Sequence, residues 1–189
     1  LNLFSNILNS LETVSSEAKS FLKEKLSIDG KTNNGLLEKH QHEGHGYAWF
    51  ETYRIALRET FNWFKNLKET EKATKLESGI LLFSFAEYLS QMRSGIMMSQ
   101  TEIVRPESLG ISSQSFSFCD SPEIAGLIKL GLSETVKVEI VESLENGIFP
   151  NLGLNDETLE MIQDQFKKFT DEEIVPNANE WHLKDDLIP

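Results

Sequence analysis

Apolar residues return at intervals of three and four along almost the whole chain, and that is the period an α-helix needs to bury one face. In the first segment Leu1, Phe4, Leu8, Leu11, Val14, Ala18, Phe21 and Leu22 fall on a single stripe. Later segments repeat the pattern. The fold class this dictates is all-α: an irregular bundle of about six or seven helices.

Turn chemistry cuts the pattern into pieces. "SIDGKTNNG" at 27–35 carries Asp-Gly and Asn-Asn-Gly and marks a turn. A second helix is expected from Tyr47 to Leu67. Tyr47, Phe50, Leu57, Phe61 and Phe64 lie on one of its faces and Trp49, Tyr53, Ala56 and Trp63 on another, so it should be sandwiched between neighbours. A third is expected over Glu71 to Ser94. Its run "ILLFSFA" at 80–86 argues for deep burial, and Gly95 offers a left-handed stop. Ser99 and Glu102 have capping-box spacing, which predicts a short helix in "SQTEIVR" ended by Pro106. Residues 106–120 show no helical period and read as a long loop, functional or mobile.

Ser121 followed by Pro122 opens another helix. Ser133 opens the next, with Val136, Ile140, Val141, Leu144 and Ile148 spaced for burial and Gly147 and Pro150 closing it. The last helix is expected to start at Asn155 as its cap, with Asp156 and Glu157 at the positive end of the helix dipole. Leu159, Ile162, Phe166 and Phe169 form a stripe that faces a partner, and Ile174 lies where that stripe would end. Pro176 cannot continue the hydrogen-bond ladder without a kink.

Charge narrows the function classes. The net charge is −12, and from Ser133 onward fourteen acidic residues face four basic ones, a net of −10. Phosphate neutralisation needs the opposite sign, so nucleic acid is excluded as a partner. Cys119 is the single cysteine, which excludes an internal disulfide and fits a reducing, cytoplasmic setting. No apolar run approaches the roughly 20 residues that cross a bilayer, and "LNLFSNILNS" lacks the basic region of a signal peptide. The chain opens on Leu1 rather than methionine. It is read as a piece of a longer protein.

Residues that could carry chemistry are few. "HQHEGH" places His40, His42 and His45 within six residues, but on a helix His40 and His42 point apart and Gly44 and Gly46 loosen the segment. Polar, partly exposed histidines leading into a helix are the plainer account. Asp164, Asp171 and Glu172 lie mostly opposite the final apolar stripe, as a solvated face does. The serines of 108–121 have no nucleophile-elbow pattern, and no glycine-rich phosphate loop is present. The aromatic second helix reads as core, with a pocket for an apolar ligand as the weaker alternative. Trp181 and His182 have the look of a docking point for something packed over them. The expectation is therefore no catalytic, cofactor-binding or metal residue in this chain.

The closing stretch "MIQDQFKKFTDEEIVPNANEWHLKDDLIP" resembles the opening helix of the acyl-CoA dehydrogenase family. Phe166, Phe169, Glu173, Pro176, Ala178, Glu180, Trp181, Ile188 and Pro189 carry the match. His182-Leu183-Lys184 departs from it, because many members place an aspartate after the tryptophan. Upstream, "HGYAWFETYRIALRETFNWF" (45–64) and "FAEYLSQMRSGIMMSQTEIVRPESLGI" (85–111) are similar to the methylsuccinyl-CoA-oxidising branch of that family. Members of that branch carry a long helical extension ahead of the dehydrogenase core.

The resemblance implies a division at 1–153, the extension, and 154–189, the start of the dehydrogenase N-terminal helical domain. It implies an FAD-dependent oxidation of methylsuccinyl-CoA to mesaconyl-CoA by the full-length protein. There a carboxylate takes the α-proton and the β-hydride passes to the flavin. It further implies an acyl-CoA substrate, an electron-transferring flavoprotein as electron acceptor, a homo-oligomer, and a place in bacterial ethylmalonyl-CoA metabolism. In that family the flavin contacts and the catalytic glutamate lie downstream of this helix, so the chain itself is expected to be non-catalytic. The competing reading is a stand-alone helical interaction module.

Overall fold

A computed structural model describes residues 1–187, so the matched Ile188 and Pro189 lie outside the described residues. The described residues form seven helices of ten residues or more, one of six, and two hairpins of two-residue strands. The all-α expectation holds. The chain divides into two compact units, Leu1–Asn151 and a second from Leu152 on.

In the first unit α1 (Asn2–Leu26) packs on α3 (Gln41–Glu69), and α3 packs on α4 (Lys75–Ser94). α4 also contacts α5 (Pro122–Gly131) and α6 (Glu134–Glu145). A helix with neighbours on several sides must be apolar on several sides, which is why "ILLFSFA" shows no single stripe. Leu81, Phe85, Ala86, Leu89 and Met92 of α4 are buried. They meet Ile7, Leu11, Val14 and Ala18 of α1 and Phe50, Leu57, Phe61 and Phe64 of α3 in one core. Phe4 of α1 sits edge-on to Phe85 at 4.8 Å between ring centres.

Several local expectations are corrected. The turn at 27–35 is a hairpin of β1 (Ser27–Ile28) and β2 (Lys31–Thr32), followed by the short α2 (Asn34–Lys39). Asp29 and Gly30 both have positive φ, 52° and 75°, as the tight hairpin turn favoured by Asp-Gly requires. α3 starts at Gln41 rather than Tyr47, so His42 and His45 lie inside it. α4 starts at Lys75 rather than Glu71, because Thr74 and Glu77 form a reciprocal capping box.

No helix forms in "SQTEIVR". β3 (Ile96–Met97) pairs there with β4 (Ile103–Val104), and Ser99 and Glu102 sit in the turn between them. Gly95 is not left-handed helical: its φ of 143° and ψ of 129° lead α4 directly into β3. Residues 106–120 hold two 3-10 turns, Pro106–Leu109 and Ser117–Asp120, and bury Leu109, Ile111, Phe116 and Cys119. This is packed structure rather than a loose loop. Its lack of helical period reflects side chains reaching the core from 3-10 turns, whose threefold repeat no 3.6-residue search detects.

Ser121 and Ser133 cap α5 and α6 as expected. The expected burial of α6 fails. Val136 is buried and Ile140 half-buried, but Val141, Leu144 and Ile148 are exposed. α6 is apolar on two sides, and only one of them meets the bundle.

In the second unit α7 (Glu157–Phe169) is capped by Asp156, one residue later than expected. The Asp156 carboxylate accepts from Thr158 N at 2.8 Å and Leu159 N at 3.0 Å. The helical path then runs through a π turn, Thr170–Ile174, into α8 (Val175–Lys184). Pro176 has no N–H to give and its ring would strike the carbonyl four residues back. Widening the turn just before it lets the chain continue.

Candidate functional site

The three histidines do not converge. His40 caps α3 beside Glu43, with Nδ1 3.5 Å from Oε1. His42 Nδ1 meets Glu102 Oε1 at 3.1 Å, which ties α3 to the β3–β4 turn. His45 Nε2 accepts from Trp49 Nε1 at 3.0 Å. Each ring is engaged with a different residue, and among the described residues no group of histidine, cysteine and carboxylate side chains could hold a metal ion.

Ser112 N and Ser115 Oγ both donate to the Glu17 carboxylate, at 3.0 and 2.5 Å, and pin the 106–120 segment to α1. Asp171 pairs with Lys167 on the surface, and Asp164 and Glu172 are exposed. Cys119 is buried, and loss of hydration pushes its thiol up to about 11, so it is no nucleophile at neutral pH. In the aromatic helix Tyr53 stacks on Tyr88 with ring centres 4.2 Å apart and donates to Gln91 Oε1 at 2.8 Å. Rings committed to each other in this way are packing, not a pocket lining.

Two buried polar sites escaped sequence reading. Arg54 lies on the core side of α3, almost fully buried, and reaches Glu51, Glu12 and through Glu51 also Ser15. Burial works to raise the Glu51 carboxyl, but hydrogen bonds from Arg54 and Ser15 outweigh it and hold it below the usual carboxylate range. Glu77 is 2% exposed. Burial again opposes ionisation, yet bonds from the Thr74 hydroxyl and from the backbone N–H groups of Asn151 and Thr74 keep it ionised. Trp63 Nε1 donates to the Asn151 carbonyl at 2.8 Å, so the end of the first unit is fastened to both α3 and α4. The signal in the sequence was present for Glu77, as Thr-x-x-Glu. For Arg54 there was none beyond its place among apolar residues.

Among the described residues every buried side-chain nitrogen and oxygen already has a partner. The depressions are open grooves on the surface, such as one of about 250 Å³ between Gly79 of α4 and Ile140 of α6.

What the second unit does offer is an apolar face. Leu159, Ile162, Phe166 and Phe169 line one side of α7 and are 47%, 46%, 69% and 55% exposed. Residues 152–189 carry ten acidic against three basic groups, and on α7 the charged positions fall mostly on the side opposite the stripe. A helix this short gains little stability alone in water. An amphipathic helix with an uncovered stripe is suited to packing on other helices.

No family model matches the chain. Over its full length it is 36% identical to (2S)-methylsuccinyl-CoA dehydrogenase of Cereibacter sphaeroides, an acyl-CoA dehydrogenase family member, and it spans about a third of the length of that protein, at its N-terminal end.

Proposed function

We propose that this chain is the N-terminal part of an FAD-dependent acyl-CoA dehydrogenase that oxidises methylsuccinyl-CoA to mesaconyl-CoA. The observation that carries the reading is identity sustained over the whole chain with one end of such an enzyme. In this reading residues 1–153 are a helical extension and 154–189 begin the dehydrogenase helical domain. The exposed α7 stripe supports it, since Leu159, Ile162, Phe166 and Phe169 are then half of a helix–helix interface whose other half follows in the polypeptide. The chain itself supplies neither the catalytic base nor the flavin contacts. Its role is to fold ahead of the core and present α7 for packing. The whole enzyme acts as a homo-oligomer in the cytoplasm and passes its electrons to an electron-transferring flavoprotein.

The test is to express the polypeptide from its complete gene, purify it, record its spectrum and supply methylsuccinyl-CoA with an artificial electron acceptor. Flavin absorbance and mesaconyl-CoA are the expected results. A colourless protein that binds no added FAD and makes no product would refute the proposal.

A further inference from the structure

We propose that the π turn Thr170–Ile174 sets the phase of α8, so that Ile174, Ala178 and Trp181 carry the apolar stripe of α7 onward as one seam, which the polypeptide beyond α8 covers. At about 100° per residue, Leu159, Ile162, Phe166 and Phe169 fall within about 80° of one another on α7. An unbroken α-helix would then place Ile174 about 100° and Trp181 about 80° from the middle of that stripe. A π turn takes up one residue more than an α turn, so the helix beyond it is turned back by about 100°. Ile174 and Trp181 then come within about 20° of the middle of the stripe, and Ala178 within about 40°.

Exposure agrees with this phase. From Thr170 to Leu187 every residue is exposed except Ile174 and Trp181, which are half-buried and stand two turns apart on one side of the helix. Val175 and Leu183 are apolar too, but the same phase turns them away from the seam, and they are 61% and 76% exposed. The turn also has its own support. Pro176 has no N–H to give, and Asn177 Nδ2 donates to the Glu173 carbonyl at 2.9 Å, so a side chain bonds backbone within the widened turn. The occupant rests on the function proposed above: the chain matches the N-terminal third of a longer enzyme, and helices further along that polypeptide are what a seam of this kind packs against.

Cysteine reporters in the polypeptide expressed from its complete gene test this, because native Cys119 is buried and stays silent toward maleimide. Ala178→Cys should react about tenfold more slowly there than in the 189-residue chain. Leu183→Cys, on the far side of α8, should react at the same rate in both. Deleting Glu172 together with Pro176→Ala leaves an unbroken α-helix of the same phase and should preserve both rates. An alanine inserted after Glu172 turns α8 out of phase and should free Ala178→Cys. Ile162→Cys on α7 separates the ways of failing. If it is protected and Ala178→Cys is not, the seam ends at the π turn, and the inference falls while the dehydrogenase reading stands. If both react as they do in the 189-residue chain, nothing covers the seam, and the inference falls together with the packing role given to α7. Protection that grows with protein concentration means that a second copy is the occupant, and equal protection of Ala178→Cys and Leu183→Cys means that phase decides nothing. Either result overturns the proposal.

Discussion

Arg54 grips Glu51 with two prongs, Nε to Oε1 at 2.9 Å and Nη2 to Oε2 at 2.7 Å, one turn apart on α3. The third guanidinium nitrogen reaches across to Glu12 of α1, which Arg58 also holds. Ser15 of α1 donates to Glu51 from the other side. Burying a charge is tolerable only when it is paired and hydrogen-bonded throughout, and this network meets that condition while joining the two helices.

Arg54→Leu therefore leaves the Glu51 carboxylate partly buried without its main partner. Breaking such a pair from one side costs about 3–5 kcal/mol. A urea titration of the 189-residue chain should show that loss, and Glu51→Leu added to it should restore part of the stability. A cost for Arg54→Leu below about 1 kcal/mol, the value of a surface pair, would contradict the account.

Acid should act on the same groups. The folded-state carboxyls of Glu51 and Glu77 lie below their ordinary values. The stability they contribute is present above the unfolded value of about 4.3 and is lost as pH falls through the folded ones. Thermal unfolding should thus be nearly level from pH 7 to 5 and fall steeply below about pH 4. Glu51→Gln should flatten the acid limb. An unchanged slope in that variant would assign the acid loss to other carboxylates.

Gly46 and Val104 are in closer contact than any side chain would allow. A Cβ on Gly46 would lie 2.4 Å from Val104 Cγ2, so α3 and β4 meet only because that position is glycine. Gly46→Ala should cost about 1–3 kcal/mol by overpacking, despite the better helix propensity of alanine. Val104→Ala in the same chain should recover part of it. A neutral or stabilising Gly46→Ala would show that the two elements can separate freely.

The helices were legible because their apolar positions kept a 3.6-residue period over long spans, as in α1 and α3. Caps were legible at Ser121 and Ser133, but not at Thr74 or Asp156, although a side chain does the capping there too. The β3–β4 hairpin was not, since Ser99 and Glu102 satisfy a helix-start pattern equally well and only the Met97–Ile103 pairing across the turn decides. Burial was misread on α6 because periodicity marks an apolar face without saying whether anything covers it. For the candidate site, the α7 stripe was legible as a face wanting a partner, whereas the network of Arg54 was hidden because its link to α1, through Glu12, spans 42 residues.

Phe166 separates an interface residue from a core one. It is 69% exposed on α7. Phe166→Ala should change the unfolding free energy of the 189-residue chain by no more than about 0.5 kcal/mol, as surface changes do. In the polypeptide expressed from its complete gene the same change should cost about 3–5 kcal/mol. Equal effects in the two proteins would deny that the stripe becomes buried.

Hydrogen exchange over α7 tests the central claim most directly. In the 189-residue chain the amides of residues 159–169 should exchange within about tenfold of an unstructured peptide, as expected of a short uncovered helix. In the complete polypeptide they should become as slow as the amides of α4. Strong, equal protection in both would mean that the chain covers its own stripe, and it would then stand as a finished module rather than the leading part of an acyl-CoA dehydrogenase.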